Sequence, residues 1–453
     1  MSQVTPERQA AYAVLRRTFE GGEFTEAAFR DEAESRGLEG RSRSQAMRMS
    51  FGAVQRKGTT DAVVAGFIRK KGQRPDPPVI NALRLGVFEL LFSDGTPDHA
   101  VVDQTVSLVK GSAPHAAGFV NALLRRTLRE RDRVMATIND DSSPEKAAVA
   151  HSAPAWLVDL WWRQLGPERA RSVLAAANEP SERAIRVNTA RLTLEEARER
   201  LATDVLELEP AEGEWPMAPD ELLIARGNLA EAEAAALEGL VVAQSRGSAA
   251  VVEVLDPRAG ERVLDLCAGP GIKTGQIAAR VGRQGNMVSV EPEPDRAEEV
   301  ASQLERLGFH NGLVIETSAE EGDILSEFDR ILVDAPCSDL GALASRPDAR
   351  WRKSPAVIER VTGLQAAILD RAAQFLAPGG TLVYSTCTIS SAENAKQALA
   401  FAERSGLAID DLGVLAPDLA STDDSRFLQL LPDRDRTTGF FIARFNASKS
   451  LRS

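Results

Sequence analysis

The sequence predicts a multidomain protein, with an all-helical N-terminal part, a small α+β module and a C-terminal α/β domain built on a parallel sheet. Three observations carry this prediction. Apolar residues recur at helical spacing through the first 133 residues, the stretch Arg262–Thr274 has the pattern strand, tight turn, helix, and each cysteine follows a β-prone run. A chain of 453 residues is long enough for two or three domains.

The N-terminal part is predicted to be helical throughout. Helical spacing of apolar residues covers Arg8–Phe19, Arg43–Val54 and Asp61–Ile68. The stretch Val79–Phe92 is so apolar that it predicts a buried helix, and Gly118–Arg126 predicts a helix that ends in a basic cluster. We place the first domain at residues 1–140.

Charge is distributed unevenly along the chain. The net charge is −12, but residues 1–133 hold 21 Lys and Arg against 16 Asp and Glu, a net of +5. Such asymmetry is typical of nucleic-acid contact, because cations near phosphates release counterions. Solvated helix faces explain the same excess equally well. The residues that we assign to RNA binding are Arg125, Arg126 and Arg129.

Between roughly residues 134 and 150 the sequence turns polar, with the run 139–144, and this predicts a linker before the second module. The module combines a strand-like segment, Ala184–Asn188, with an acidic helix, Thr193–Leu201, and we assign residues 141–240 to this linker and module. The catalytic domain is then predicted at residues 241–449.

Composition excludes several classes of protein. With 43% hydrophobic and 26% charged residues the chain is an ordinary globular one, and no apolar run reaches the roughly 18 to 20 residues of a membrane span. The first residues lack the features of a signal peptide, so we expect a cytoplasmic protein without a membrane partner. Three cysteines without a CxxC pair and only four histidines argue against disulfides and against a metal site.

The turn between the strand and the helix of Arg262–Thr274 is glycine-rich. Gly269 and Gly271 let backbone approach a ligand closely, and the first amides of the next helix are free to face it. The turn is too short for a phosphate loop and lacks the spacing of a dinucleotide fingerprint. It therefore indicates either a nucleotide-like cofactor or an ordinary strand-to-helix connection.

The three cysteines, Cys267, Cys337 and Cys387, all lie where an apolar, β-prone run breaks into a turn. If the three strands are parallel, the thiols meet at one edge of the sheet. The alternative is that they are small buried hydrophobic residues. We favour a chemical role for Cys337 and Cys387, and packing for Cys267.

Three motifs, DLCAGPGIKT, DAPCSDLG and STCTISSAEN, together resemble the Sun family of RNA cytosine-5 methyltransferases. The segment Arg346–Trp351 and the closing Gly439–Phe441 match the family at the expected spacing. The resemblance implies a Rossmann-like class I domain that uses S-adenosylmethionine, preceded by a NusB-like RNA-binding domain. It also implies an RNA partner, namely small-subunit (16S) rRNA.

The resemblance also implies the site residues. Cys387 would be the nucleophile that adds to carbon 6 of cytosine, Cys337 would assist release, and Asp334 would hydrogen-bond the ring. We expect Lys273 and the cofactor's own positive charge to favour the Cys387 thiolate. Glu291, at the end of a strand, would hold the cofactor's ribose, although an acid that only starts the next helix is the alternative. The cofactor contacts would come from Cys267, Ala268, Gly269, Pro270, Gly271, Ile272, Lys273, Glu291, Ser318 and Asp334.

Three positions depart from the family pattern. The usual APGGKT is GPGIKT here, with Gly269 and Ile272, and the family's acid near the adenine is replaced by Ser318, with Glu320 or Glu321 as substitutes. The usual DAPCSGTG is DAPCSDLG, which puts Asp339 beside the nucleic-acid pocket.

Other functions remain open from the sequence. The motifs specify the base and not the RNA, so a tRNA cytosine-5 methyltransferase is one alternative. A non-catalytic RNA-binding or ribosome-assembly factor is another, against which the intact Lys273, Asp334, Cys337 and Cys387 argue. A DNA cytosine methyltransferase would not need Cys387.

Overall fold

The structure is a computed structural model, and it describes residues 4–68, 74–202, 206–211, 213–217, 219–227, 230–282, 285–310, 312–321, 324 and 326–448. The chain forms two compact units. The first, which we call the helical unit, comprises Met1–Glu179 and Leu343–Lys353. The second, the sheet unit, comprises Pro180–Ala342 and Ser354–Ser453.

The helical unit confirms the predicted all-helical N-terminal part. Its helices are α1 (Pro6–Phe19), α2 (Thr25–Ser35), α3 (Gly40–Gln55), α4 (Lys57–Phe67), α5 (Pro77–Phe92), α6 (Asp98–Ser112), α7 (Ala117–Arg129), α8 (Arg131–Ile138), α9 (Pro144–Ala150) and α10 (Ala155–Ala176), with a 3-10 turn at Pro114–Ala116. Helix α5 begins at two prolines, which suit the first turn of a helix, and is buried along most of its length, as its apolar sequence predicts.

The segment predicted to be a linker contains ordered helix in the structure. Helix α9 lies within it, and the Ser143 hydroxyl caps that helix by accepting a hydrogen bond from the Lys146 amide at 3.4 Å. The polar residues therefore serve as a helix cap, and the helical unit continues to Glu179.

A small antiparallel sheet opens the sheet unit. Its strands follow the order β2-β3-β1-β4, and two helices accompany them. The elements are β1 (Ala184–Val187), α11 (Leu194–Leu201), β2 (Leu206–Pro210), β3 (Glu221–Gly227), α12 (Ala230–Leu237) and β4 (Val241–Ala243). Thr193 forms the predicted N-terminus of α11 through a capping box with Glu196.

The large sheet of the same unit has the strand order β10-β12-β9-β8-β5-β6-β7, with β11 paired to β12. Strands β7, β6, β5, β8 and β9 are parallel, whereas β12 is antiparallel to β9. The remaining elements are α13 (Arg246–Leu255), β5 (Arg262–Asp265), α14 (Ile272–Val281), β6 (Asn286–Val290), α15 (Pro294–Leu307), β7 (Gly312–Ile315), β8 (Phe328–Asp334), α16 (Ala349–Arg352), α17 (Pro355–Gln374), β9 (Leu376–Thr386), α18 (Ala395–Ser405), β10 (Ala408–Ile409), a 3-10 turn (Pro417–Leu419), β11 (Leu428–Gln429), α19 (Pro432–Asp435) and β12 (Phe441–Asn446).

Helices cover both faces of the large sheet. Along β8, Ile331 and Val333 belong to the hydrophobic cluster that includes α17 and α18, while Leu332 between them belongs to the cluster of α13, α14 and α15. This alternation is that of a strand buried on both sides. The predicted fold class is confirmed. In the described part of the chain, no helix combines the length and the apolar character that a membrane span needs.

The segment Leu343–Lys353, which includes α16, belongs to the helical unit although it falls between β8 and β9 in the chain. Arg350 is 1% exposed, and its guanidinium donates hydrogen bonds to the Ser152 and Ala177 carbonyls at 3.1 and 2.8 Å. The Trp351 indole donates to the Val54 carbonyl at 2.9 Å. The family-like motif that contains these residues therefore packs as part of the helical unit.

Candidate active site

The two reactive-looking thiols lie side by side. Strands β5, β8 and β9 are parallel neighbours, so their carboxyl ends share one edge of the sheet, as expected. The Sγ atoms of Cys337, just after β8, and Cys387, just after β9, are 3.3 Å apart. Cys267, just after β5, packs against a hydrophobic cluster, and burial raises the pKa of its thiol well above the usual range. These apolar surroundings support a packing role for Cys267, which stays a prediction.

An ion pair connects the glycine-rich turn to β8. Lys273 Nζ lies 2.7 Å from Asp334 Oδ2, and the Ser385 hydroxyl donates to Asp334 Oδ1 at 2.6 Å. Lys273 is 9% exposed, and its ammonium sits 4.9 Å from the centre of the Phe440 ring. Both oxygens of Asp334 are thus held in fixed directions at the edge of the thiol pair.

The protein's own groups favour a thiol at Cys387, and the expected joint effect of Lys273 and the cofactor's charge stays a prediction. The hydrogen bond to Cys337 and burial raise the pKa of the Cys387 thiol well above its usual range, and the negative charge of Asp339 adds to this effect. The positive charge of Lys273 is already compensated by Asp334 at 2.7 Å. Cys387 is therefore a thiol in this state.

Asp339 touches the nucleophile candidate directly. The Cys387 thiol donates a hydrogen bond to Asp339 Oδ1 at 3.3 Å. The sulfur atoms of Cys337 and Cys387 and a carboxylate oxygen of Asp339 all lie within 4.8 Å of one another. Asp339 has φ +59°, the left-handed conformation that glycine adopts most easily, which costs most side chains roughly 1 kcal/mol. Asp339, which stands where the family pattern has glycine, therefore keeps the backbone conformation that glycine adopts most easily.

The loop after β8 is fixed to the chain that follows β9. The Ser338 amide donates to Glu393 Oε2 at 2.8 Å, and the Gly341 amide donates to the Cys387 carbonyl at 2.9 Å. A Cβ on Gly341 would lie 2.3 Å from the Gly439 carbonyl oxygen, so this position requires glycine. Glu393 belongs to the STCTISSAEN motif and Gly439 to the Gly439–Phe441 motif. That these two residues position the loop after β8 follows only from these long-range contacts.

The glycine-rich turn carries the predicted cofactor residues and is bonded to Glu291. Gly269 has φ +55° and Gly271 has φ +85°, and a Cβ on Gly271 would lie 3.1 Å from the Val300 Cα. Glu291, 4% exposed, accepts hydrogen bonds from the Gly269 amide at 2.9 Å and from the Glu293 amide at 3.2 Å. Glu291 is therefore held against the turn.

Asp265 is a buried carboxyl at the end of β5 to which the sequence assigned no role. Its Oδ2 accepts a hydrogen bond from the Thr274 hydroxyl at 2.7 Å, whereas Oδ1 has no hydrogen-bond partner among the residues that the structure describes. Burial raises the pKa of this carboxyl to about 6. A hydrogen-bond donor of a bound ligand would satisfy this buried, unpartnered oxygen of Asp265 next to the turn.

Ser318 lies between β7 and β8 and is half-buried, while Glu320 and Glu321 are exposed. Within the described ranges, no hydrogen bond joins the Ser318 side chain to the glycine-rich turn; its carbonyl accepts one from the Glu321 amide at 3.4 Å. The assignment of Ser318 to the cofactor stays a prediction.

The basic cluster of the helical unit lies on α7. Arg125 and Arg129 are exposed and, four residues apart, share one face of the helix. Arg126 is half-buried, pairs with Glu130 at 2.7 Å and stacks over Phe67 at 4.5 Å. Arg125 and Arg129 are thus better placed than Arg126 to meet a phosphate.

Three family models match the chain. One described as 16S rRNA methyltransferase RsmB/F matches residues 252–446, the NusB family matches residues 5–129, and an RsmF/B-like ferredoxin-like domain matches residues 153–243.

Relatives match over nearly the whole chain. The Bacillus subtilis protein "Probable ribosomal RNA small subunit methyltransferase B" is 30% identical over 97% of this chain and 98% of its own length. The Klebsiella pneumoniae protein "Ribosomal RNA small subunit methyltransferase B" is 29% identical over 87% of this chain and 88% of its own length. The solved structure of a methyltransferase homolog from Pyrococcus horikoshii is 27% identical, with a TM-score of 0.59 over 67% of this chain and 99% of its own.

Proposed function

This chain belongs to the RsmB/F family of 16S rRNA methyltransferases, and we propose that it transfers a methyl group from S-adenosylmethionine to carbon 5 of a cytosine in small-subunit rRNA. The observation that carries this proposal is the pair of thiols, Cys337 and Cys387, at 3.3 Å from each other beside Asp334. An RNA methyltransferase that acts on a nitrogen or on a ribose oxygen has no use for two adjacent thiols.

The chemistry of the base explains both thiols. Carbon 5 of cytosine is a poor nucleophile until a sulfur adds to carbon 6 and makes the ring an enamine. Cys387 is the nucleophile, and Cys337 next to it assists when the proton on carbon 5 leaves and the carbon 6–sulfur bond breaks. Asp334, fixed by Lys273 and Ser385, accepts a hydrogen bond from the ring. The cytosine must be unstacked to reach these groups.

The residues around the glycine-rich turn fit S-adenosylmethionine. The cofactor supplies a methyl group bonded to a positively charged sulfur. Open space lies beyond Gly269, where an added Cβ would meet no atom within 4 Å, and the unpartnered Asp265 Oδ1 is available to a donor. Glu291 would hold the ribose hydroxyls, because each of its oxygens keeps a lone pair free beside its backbone hydrogen bond. The turn Cys267–Lys273, with Asp334, would form the rest of the site.

The RNA contact is assigned to the helical unit and to the small module. The NusB-like region carries two exposed cations on α7, Arg125 and Arg129. The negatively charged phosphates of an rRNA backbone are their complementary partner. We keep the division into residues 1–140, 141–240 and 241–449 as our proposal for the domains of the protein.

Bisulfite mapping of RNA from a strain that lacks this gene tests the proposal. We expect one 5-methylcytosine of 16S rRNA to disappear and to return when the gene is restored. Loss of a tRNA methylcytosine instead would assign the enzyme to tRNA. An unchanged pattern in both RNAs, with altered ribosome assembly, would make the protein a binding factor without catalysis.

A further inference from the structure

The Cys387 thiol points its proton at a carboxylate. Its Sγ donates to Asp339 Oδ1 at 3.3 Å, and both side chains are half-buried. The nucleophile and the carboxylate are thus in direct contact before any substrate binds.

The loop that carries this carboxylate is fixed on both sides of Asp339. Ser338, before it, is bonded to Glu393 at 2.8 Å, and the Gly341 amide, after it, is bonded to the carbonyl of Cys387 itself at 2.9 Å. Asp339 keeps a left-handed backbone, φ +59°, between these anchors. A strained residue whose flanks are tied to the nucleophile's own backbone is a feature typical of active sites.

Cys387 needs an acceptor for its proton. The pKa of its thiol is raised by the hydrogen bond to Cys337, by burial, and by the negative charges of Asp339 and Asp334. A pre-formed thiolate is therefore scarce near neutral pH, and the proton has to leave while the sulfur attacks.

We propose that Asp339 is the base that accepts the Cys387 proton as the sulfur attacks carbon 6 of the cytosine. This inference rests on the proposed function. The electron pair of the S–H bond becomes the S–C6 bond, the C5=C6 pair moves onto carbon 5, and the proton goes to Asp339 Oδ1. Carbon 5 then uses this electron pair to bond the methyl group of S-adenosylmethionine, whose sulfur keeps the pair of the broken S–methyl bond. When the carbon 5 proton has left to water, its C–H pair reforms the C5=C6 bond, the S–C6 pair returns to the Cys387 sulfur, and that sulfur takes back the proton from Asp339.

The other ionisable groups that face Cys387 are less suited to this role. Asp334 has its two oxygens engaged by Lys273 and Ser385 at 2.7 and 2.6 Å. Cys337 lies as close as Asp339, but in the proposed function it acts after the attack, so the attack must proceed without it.

The test is the pH dependence of single-turnover methyl transfer to an unmodified 16S rRNA transcript, by the full-length protein. Asp339→Asn keeps the size of the side chain and removes the base. Asp339→Gly removes the side chain and relaxes the left-handed backbone, so it should fold at least as well as the wild type. Asp418→Asn, at an exposed carboxylate on the 3-10 turn Pro417–Leu419, is the matched control.

We expect both Asp339 variants to lose about 10²- to 10³-fold in rate near neutral pH, the usual range for a lost general base. Their rates should then rise about tenfold per pH unit as hydroxide supplies the thiolate, while the rates of the wild type and of Asp418→Asn change little. S-Adenosylmethionine affinity should not change.

The sign of the effect separates this role from a merely electrostatic one. If Asp339 only repelled a thiolate, its removal would lower the pKa of Cys387 and speed the reaction. A faster variant, an unchanged rate, or a loss of equal size at every pH would each overturn the inference. If the wild type transfers no methyl group to any RNA cytosine, the proposed function itself fails.

Discussion

Lys273 and Asp334 form an ion pair of 2.7 Å between the first turn of α14 and the last residue of β8. The pair joins the turn assigned to the cofactor with the strand that leads to Cys337. Within the pair, Asp334 compensates the positive charge of Lys273.

Lys273→Met should therefore destabilise the protein and not simply remove a cofactor contact. Asp334 would keep a partly buried charge with one partner fewer, at a cost of about 1 to 3 kcal/mol. The double variant Lys273→Met/Asp334→Asn should recover part of that loss. Urea unfolding of the two single variants and the double variant measures the coupling, and strictly additive effects would contradict it.

Glu291→Ala should weaken S-adenosylmethionine binding about ten- to a hundredfold, the cost of roughly 1.5 to 3 kcal/mol for charge-assisted bonds. The structure adds that this change also frees the Gly269 amide that shapes the turn. Glu291→Gln, which keeps the acceptor and loses the charge, should bind with intermediate affinity. Titration calorimetry gives both dissociation constants, and an unchanged value for Glu291→Ala would assign the ribose to another residue.

Reversing the charges of Arg125 and Arg129 should weaken binding of a 16S rRNA fragment, and the defect should shrink as salt rises. Arg126 is left intact because its contacts with Glu130 and Phe67 are structural. The double variant Arg258→Glu/Arg404→Glu, at two exposed arginines of the sheet unit, controls for total charge. Filter binding at two salt concentrations decides: equal affinity of the Arg125/Arg129 variant and the control at low salt would show that α7 does not grip this RNA.

Glu221 should make the folded protein less stable as pH rises. It is 1% exposed, neither of its oxygens has a hydrogen-bond partner within the described ranges, and burial raises the pKa of its carboxyl to about 9. The unfolded chain gives up this proton near 4.5, so the free energy of unfolding falls with pH between those values.

Glu221→Gln stays neutral at every pH, so its advantage over the wild type should grow by at most about 1.4 kcal/mol per pH unit across that window. Urea unfolding at about pH 5 and about pH 8 measures the difference. An advantage of the same size at both pH values would mean that Glu221 is ionised when folded.

Local patterns predicted the elements well. The acidic helix expected at Thr193–Leu201 lies at Leu194–Leu201 with Thr193 as its N-cap, because a capping box is a local signal. The convergence of Cys337 and Cys387 followed from strand order alone. Both predictions depend only on neighbouring residues or on the regular geometry of a parallel sheet.

Contacts between residues distant in sequence could not be predicted in this way. The residues Leu343–Lys353 belong to the helical unit because Trp351 and Arg350 meet carbonyls of Val54 and Ala177. The ion pair of Lys273 with Asp334 and the hydrogen bond between Cys387 and Asp339 also join residues that are distant in sequence. The size of the effect of Lys273 on the thiol therefore could not be predicted, since it depends on which partner Lys273 finds.

The most direct test of the central claim is the covalent complex between protein and 16S rRNA on a denaturing gel. Cys337→Ala, with release impaired and Cys387 intact, should accumulate an RNA-linked species, whereas Cys387→Ala should form none and lose methyl transfer. Asp418→Asn, at the exposed carboxylate on the 3-10 turn Pro417–Leu419, is the control and should behave like the wild type. An adduct in Cys387→Ala, or the same behaviour in the Cys337 and Cys387 variants, would contradict the assigned roles of the two thiols.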